Sequence, residues 1–130
     1  MNYVKNAAFV RIVRHGEKIR DLIDEMKSLT WSKEAEFMVL KIASRERLMV
    51  KGGRDGIRFT IKESAEGPIL EMKFQERRVR VVRIFGHTHP RATGPSQGDH
   101  DALNILGQRR SYIFEIGGEC RGTLVRTKNP

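Results

Sequence analysis

The sequence is poor in the residues that cross-link a chain or anchor it in a membrane. Its 130 residues include a single cysteine, Cys120. One cysteine excludes an internal disulfide and a site built from several thiolates, and it favours a reduced, cytoplasmic setting. No run approaches the ~20 apolar residues of a membrane-spanning helix. Arg11 interrupts the short apolar stretch near the N-terminus, so no secretory signal is predicted.

The sequence also has few acidic residues. It contains 16 acidic and 25 basic residues, which gives a formal charge of +9. This charge permits attraction to nucleic acid, an anionic membrane or an acidic protein. The basic residues are scattered, with small groups only at 77–83 and 109–110. None of the nine aromatic residues interleaves with them for stacking on bases. We therefore predict a mostly solvated basic surface, with no membrane partner and no expected nucleic-acid partner.

Length and patterning predict one domain over residues 1–130. Apolar residues at i, i+3, i+4 and i+7 predict a helix at His15–Ser28, and a second helix is predicted from Ser96 to Gly107. We expect 29–32 to break the first helix, with Trp31 as a packing anchor, and 63–68 to be a loop. A helix that starts after Ser32 is the alternative to the strand predicted at Phe37–Ala43. The predicted strands are Ala7–Val13, Phe37–Ala43, Arg47–Val50, Ile57–Ile61, Ile69–Phe74, Val79–Phe85, Tyr112–Ile116 and Glu119–Arg126.

These elements do not alternate regularly between strand and helix, which argues against a doubly wound fold. The pattern predicts a mixed α/β chain of the α+β type, with a single mixed β-sheet flanked by helices. A hairpin turn is expected at Gly117–Gly118, and a frayed end at 128–130.

The residues best suited to catalysis or metal binding lie between Phe85 and Ile105. His87 and His89 are two residues apart, so on an extended chain their rings point to the same side. Asp99 can join them once the loop folds back. Zinc accepts imidazole nitrogen and carboxylate oxygen, and three protein ligands leave one position open, as in catalytic sites. This pattern predicts a zinc site; a Ser-His-Asp triad and a purely structural histidine pair are the alternatives.

Ser96 lies three residues before Asp99, which predicts a capping box at the start of the second helix. A hydroxyl held in that way can also serve as an oxyanion donor, and the two roles are compatible. His100 and Asp101 follow Asp99 directly. Because each helical residue turns by roughly 100°, only one of the three can face the histidines. Asp99 is the preferred metal ligand, Asp101 is the alternative ligand, and His100 is expected to face outward.

The run His87-Thr88-His89-Pro90, followed by Ser96 and Asp99, resembles the JAMM motif of the JAB1/MPN metalloprotease family. The order of strand, loop, Ser-x-x-Asp helix and strand is also similar, over roughly residues 34–116. The resemblance implies a JAB1/MPN-like, cytidine-deaminase-like fold. Five residues separate Pro90 from Ser96 where the family usually has six, which favours a divergent bacterial or toxin-like JAB branch.

The resemblance further implies a glutamate on an early strand that acts as general base. Glu34 and Glu36 are the candidates, and Glu36 is preferred because an apolar run follows it directly. The family often has glycine three residues later, where this chain has Val39. The implied catalytic residues are Glu36 and Ser96, and the implied zinc ligands are His87, His89 and Asp99.

The function implied by the resemblance is a zinc-dependent metallopeptidase or isopeptidase. It would hydrolyse an amide bond in a protein or peptide, such as a ubiquitin-like or sulfur-carrier protein conjugate, or act as a toxin or effector module. The alternative is a non-catalytic binding module on the same scaffold, with a basic surface for an acidic partner or nucleic acid. The pattern leaves open whether the metal is zinc, iron or manganese, since His and carboxylate suit all three.

Overall fold

A computed structural model describes residues 7–74, 77–91 and 96–116, and the backbone of 120–126. Within these ranges the chain forms two helices and eight strands. The helices are α1 (Ile19–Lys33) and α2 (Gln97–Leu106). The strands are β1 (Ala8–Val13), β2 (Phe37–Ile42), β3 (Arg47–Lys51), β4 (Thr60–Ser64), β5 (Gly67–Phe74), β6 (Arg77–His89), β7 (Arg110–Ile116) and β8 (Cys120–Arg126). Neither of these helices is long and apolar enough to cross a membrane.

All eight strands belong to one sheet, in the order β1-β3-β2-β6-β5-β4, with β7 beside β6 and β8 beside β7. The pairs are antiparallel except β6 with β7, which is parallel. The long strand β6 pairs with β2 on one side. On the other side it pairs first with β5 and then, from Gly86 onward, with β7. The predicted α+β architecture with a single sheet is therefore confirmed.

The two helices pack on opposite faces of this sheet. Alternate residues of β2 show the division, because all of Phe37 to Leu40 are buried. Phe37 and Val39 pack in a cluster with Leu22 and Met26 of α1, whereas Met38 and Leu40 belong to the cluster that includes Ala102 of α2. A strand buried on both faces reads as a continuous apolar run, which is why β2 was identifiable from the sequence.

Helix α1 begins later and ends later than predicted, so the expected break at 29–32 is wrong. Leu22, Met26 and Thr30 form one stripe at four-residue spacing, and each is about 1% exposed. The buried stripe therefore continues through the segment taken for a break. Trp31 is one residue further round the helix and is 71% exposed, so it is not a packing anchor. The alternative helix after Ser32 is also wrong, because α1 ends at Lys33 and β2 follows.

The segment from 57 to 68 also differs from its prediction. Strand β4 begins at Thr60 rather than Ile57, and 63–68 is not a loop but the end of β4, a tight turn and the start of β5. Ser64 pairs with Gly67, whose φ of +105° closes the turn with only two residues between the strands. The remaining predicted strands are confirmed within one or two residues at the described ends, except β6, which extends to His89. The predicted turn at Gly117–Gly118 and the predicted frayed end at 128–130 lie outside the described residues.

The strand register gathers basic residues that are distant in the sequence. Lys41 lies opposite Arg47 on one side and Arg83 on the other, and Lys73 lies opposite Arg78. Side chains directly opposite in an antiparallel pair share one face of the sheet, and like charges in that arrangement are destabilising. The basic surface is therefore more concentrated than the scattered sequence positions suggested.

Thr88 ties α1, β2 and β6 together at one point. Its side chain is fully buried and points to the α1 face. The Thr88 hydroxyl accepts a hydrogen bond from the Phe37 N–H at 3.1 Å, donates to the Phe37 carbonyl at 3.3 Å and bonds to the Thr30 hydroxyl. Because Thr88 lies between His87 and His89, this network also holds the backbone that carries both imidazoles.

We expect Thr88→Val to lower the free energy of unfolding by roughly 1–3 kcal/mol, because the isosteric change leaves the buried Thr30 hydroxyl and Phe37 N–H without this partner. Urea denaturation followed by circular dichroism measures the change. Thr60→Val on the exposed strand β4 is the control and should be close to neutral. Equal stability of the two variants would show that the Thr88 network contributes nothing.

Candidate metal centre

The site is built at the C-terminal end of β6, where Pro90 follows the strand directly. His87 and His89 are each 4% exposed and point to the α2 face, since His87 lies opposite Met38. Two irregularities in the β2–β6 register, on either side of Ile84, keep the side chains of β6 in phase with this face. The two Nε2 atoms lie 3.0 Å apart. The predicted convergence of the two rings on one point is thus what the structure shows.

Asp99 reaches the same point from α2. Ser96 is the N-cap of this helix: its Oγ accepts from the Asp99 N–H at 3.2 Å, and its own N–H donates to Asp99 Oδ2 at 2.8 Å. The predicted capping box is therefore present. It aims the Asp99 carboxylate at the imidazoles, with Oδ1 3.3 Å from His87 Nε2 and Oδ2 3.8 Å from His89 Nε2.

Of the two candidate glutamates, the structure brings Glu36 to the histidines. Glu36 precedes β2, is 8% exposed, and its Oε1 lies 3.8 Å from His89 Nε2. Its backbone pairs with Gly52 and Gly53, which fixes its position at the end of the β2–β3 hairpin. Glu34 lies outside the site, since it ends α1 in a left-handed conformation and forms an exposed ion pair with Arg54 at 2.7 Å.

The neighbours of Asp99 do not enter the cluster in the same way. Asp101 is exposed and accepts a hydrogen bond from the Gln97 side chain at 2.8 Å, along the surface of α2. His100 is half-buried. His15 is exposed and lies ahead of α1, far along the chain from these residues.

The donor set fits a metal ion. One ligand atom from each of Glu36, His87 and His89 lies within 4.8 Å of the other two. Ligands at about 2.0–2.1 Å from a tetrahedral ion lie about 3.3 Å from one another. The separations of 3.0 Å between the imidazoles and 3.3 Å between His87 and Asp99 are close to that spacing. These residues could hold an ion without rearrangement of the backbone.

The protonation of His89 and Asp99 also suits metal binding, which needs neutral imidazole and ionised carboxylate. Burial and the neighbouring His87 lower the pKa of His89, although Asp99 and Glu115 oppose the shift. Burial would raise the pKa of Asp99, but the hydrogen bond and charge of His87 and the N–H of Ser96 outweigh it, so the pKa is lowered. At neutral pH both groups are therefore in the form that a cation requires.

Glu36 behaves in the opposite way. Burial, followed by the negative charges of Asp99 and Asp55, raises its pKa from 4.5 to about 8. The carboxyl group consequently holds a proton at neutral pH in the metal-free protein. A group that binds a proton near pH 7 has the acidity expected of a general acid–base residue.

Glu115 completes the surroundings of His89 and was not singled out from the sequence. The parallel pairing of β6 with β7 places Glu115 opposite His89, with Oε2 3.6 Å from Nδ1. Apolar residues occur on both alternating sets of β7, so the sequence does not show which set is buried; in the structure Ile113 is fully buried and Tyr112 is 49% exposed. Glu115 is only 12% exposed. An acidic residue in phase with a buried isoleucine was the available signal.

The chain was compared with protein-family models, with curated proteins and with solved structures, and no match was found. The site comprises two buried imidazoles, the buried carboxyl group of Glu36, the partly exposed carboxylate of Asp99, and the carboxylate of Glu115 behind one ring.

In the metal-free protein, we expect the contribution of Glu36 to stability to fall as pH rises. Because the folded pKa of Glu36 is raised, the unfolded chain releases its proton first, between pH 4.5 and about 8. The loss relative to Glu36→Gln should reach up to about 1.4 kcal/mol per pH unit and stop above pH 8. Denaturation in the presence of a chelator, at several pH values, measures it. Glu34→Gln is the exposed control; a parallel pH dependence of wild type and Glu36→Gln would contradict the prediction.

A second expected outcome concerns Glu115. A carboxylate behind an imidazole ligand fixes its orientation and raises its basicity, and loss of such a partner typically weakens metal binding 10–100-fold. We expect Glu115→Gln to bind zinc roughly 10-fold more weakly than wild type in competition with a chromophoric chelator. Glu66→Gln, at a side chain that is 81% exposed, is the control. Unchanged affinity in Glu115→Gln would remove Glu115 from the site.

Proposed function

We propose that this protein is a zinc-dependent hydrolase of the JAB1/MPN metalloprotease type that cleaves an amide bond in a protein or peptide. One observation carries the proposal: His87, His89, Asp99 and Glu36 come from three separate parts of the chain, and their side chains lie within 4 Å of a neighbour in the group. Two ionised carboxylates at this place are unfavourable unless a positive charge compensates them, and in the metal-free protein Glu36 avoids the charge by holding a proton. A cation at their centre would provide that compensation.

The order of elements supports the same assignment. A central strand ends at His-Thr-His-Pro, a capped Ser-x-x-Asp helix follows, and the next strand returns beside the first, as the resemblance implies. Glu36 stands directly before β2, after α1, in the place implied for the base. The substitution of Val39 for a glycine does not obstruct the site, because Val39 packs on the α1 face.

In this proposal His87, His89 and Asp99 hold the ion. We assign Asp99 rather than Glu36 as the third ligand, because the Asp99 carboxylate approaches both imidazoles. When bound, zinc supplies Lewis-acid chemistry and lowers the pKa of a coordinated water from 15.7 to about 7. Iron or manganese is compatible with the same donors.

Glu36 transfers the proton. Its carboxylate accepts a proton from the attacking water and then gives it to the leaving amine, so that one residue serves as base and acid in turn. Ser96 contributes through its hydroxyl, which accepts from the Asp99 N–H and retains its own proton for donation. A donor held by a helix cap needs no reorientation when negative charge develops on the carbonyl oxygen.

The proposed substrates are protein or peptide amides, including conjugates of ubiquitin-like or sulfur-carrier proteins, or the targets of a toxin or effector module. The test compares zinc content with activity. We expect His89→Ala to lose zinc, measured per chain by mass spectrometry, because one of the imidazole ligands is removed. We expect Glu36→Ala to retain zinc while hydrolysis of a fluorogenic peptide or isopeptide falls by roughly 10²–10⁴-fold. His15→Ala, at an exposed histidine, should change neither quantity.

Full zinc retention in His89→Ala would reject the site. Loss of zinc in Glu36→Ala would make Glu36 a ligand instead of the base. A purified wild-type protein that takes up no zinc would favour the alternative function, a non-catalytic binding module. The like-charged pairs around Lys41 and Lys73 would then provide the surface for its acidic partner.

A further inference from the structure

A cavity of about 370 Å³ opens beside the histidine pair, between α2 and the segment 55–61. Glu36, His87, His89 and Asp99 line one part of it. Half of the other lining residues have apolar side chains, namely Met38, Ile57, Phe59, Ile61, Leu70 and Ala102. Its volume is within the range of small-molecule sites, which are mostly apolar with a few convergent polar groups.

The apolar residues of the cavity come partly from the core of the sheet and partly from the segment 57–61. Met38 on β2 and Leu70 on β5 are core residues of the two strands that flank β6, and they are 3% and 1% exposed. Ile57 and Phe59 are half-buried and pack against the same core cluster, which leaves part of each side chain toward the cavity. Ile61 lies on the edge strand β4 and is 55% exposed.

The wall depends on a close backbone approach. A Cβ added to Gly52 would lie 2.5 Å from the Gly56 carbonyl oxygen and 2.4 Å from the Ile57 side chain. Only glycine at 52 therefore allows the segment to fold back over the sheet and hold Ile57 beside the cluster. The charged residues Asp55, Arg58 and Asp101 are exposed around the cavity, so the apolar part has a polar rim.

We infer that this cavity is a specificity pocket that receives a bulky apolar side chain, such as Leu, Met or Phe, adjacent to the amide that the site hydrolyses. The inference rests on the proposed function. The pocket is continuous with the cluster, so a side chain seated in it belongs to a residue held at the histidines. Burying such a side chain adds affinity that glycine cannot supply.

Zinc-chelating hydroxamates test the pocket without any need for turnover. Acetohydroxamate and 3-phenylpropanohydroxamate carry the same chelating group and differ in the apolar tail. By calorimetry on the zinc-loaded protein, we expect the phenyl compound to bind roughly 10- to 100-fold more tightly. Ile61→Thr should reduce this ratio several-fold with little effect on folding, since Ile61 is mostly exposed. Phe59→Ala should reduce it further, provided that zinc content shows the variant to be folded.

Val82→Thr is the matched control, because Val82 is an exposed strand residue that does not line the cavity. It should leave the ratio unchanged. Equal affinity of the two hydroxamates for the zinc-loaded wild type would overturn the pocket while leaving the hydrolase proposal intact. A ratio unaffected by both Ile61→Thr and Phe59→Ala would also overturn it. A protein that binds no zinc would overturn both proposals together.

Discussion

The rest of the structure depends on the alternation of His87, Thr88 and His89 on an extended strand. Successive side chains of a strand point to opposite faces. The two imidazoles therefore converge on the α2 side while the Thr88 hydroxyl bonds to α1 and β2 on the other. The same three residues anchor one helix and orient the site against the other. A change in the register of β6 would exchange these roles and remove both at once.

The site combines groups that stabilise it with groups that do not. The capping box at Ser96 and Asp99 satisfies backbone donors of α2 while it directs a carboxylate at the histidines. Glu36, by contrast, is buried beside another carboxylate, and its raised pKa records the unfavourable charge. Residues kept in such surroundings are typical of functional sites, where stability is exchanged for chemistry.

The parallel pairing of β6 with β7 adds a further level of organisation. Gly86 permits the close approach, because a Cβ there would lie 3.2 Å from the Tyr112 carbonyl oxygen. The pairing brings Glu115 to one side of His89. On the other side, the segment 55–61, which depends on the close approach at Gly52, brings apolar side chains to the cavity beside the histidines. The proposed metal centre thus has a polar support on one side and an apolar cavity on the other.

Local patterns determined much of this protein from the sequence alone. Apolar runs identified β2 and β6, alternation identified β5, helical spacing and a capping box identified α2, and the i, i+2 spacing placed His87 and His89 together. These features depend on neighbours within a few residues. Tertiary structure decided the rest: Thr30 is buried because Thr88 meets it, which carries α1 past the expected break and leaves Trp31 outside. The position of Glu115 and the clustering of lysines and arginines depend on which residues of distant strands lie opposite one another, and the cavity wall depends on a segment that folds back over the sheet. No pattern among neighbouring residues encodes these long-range contacts.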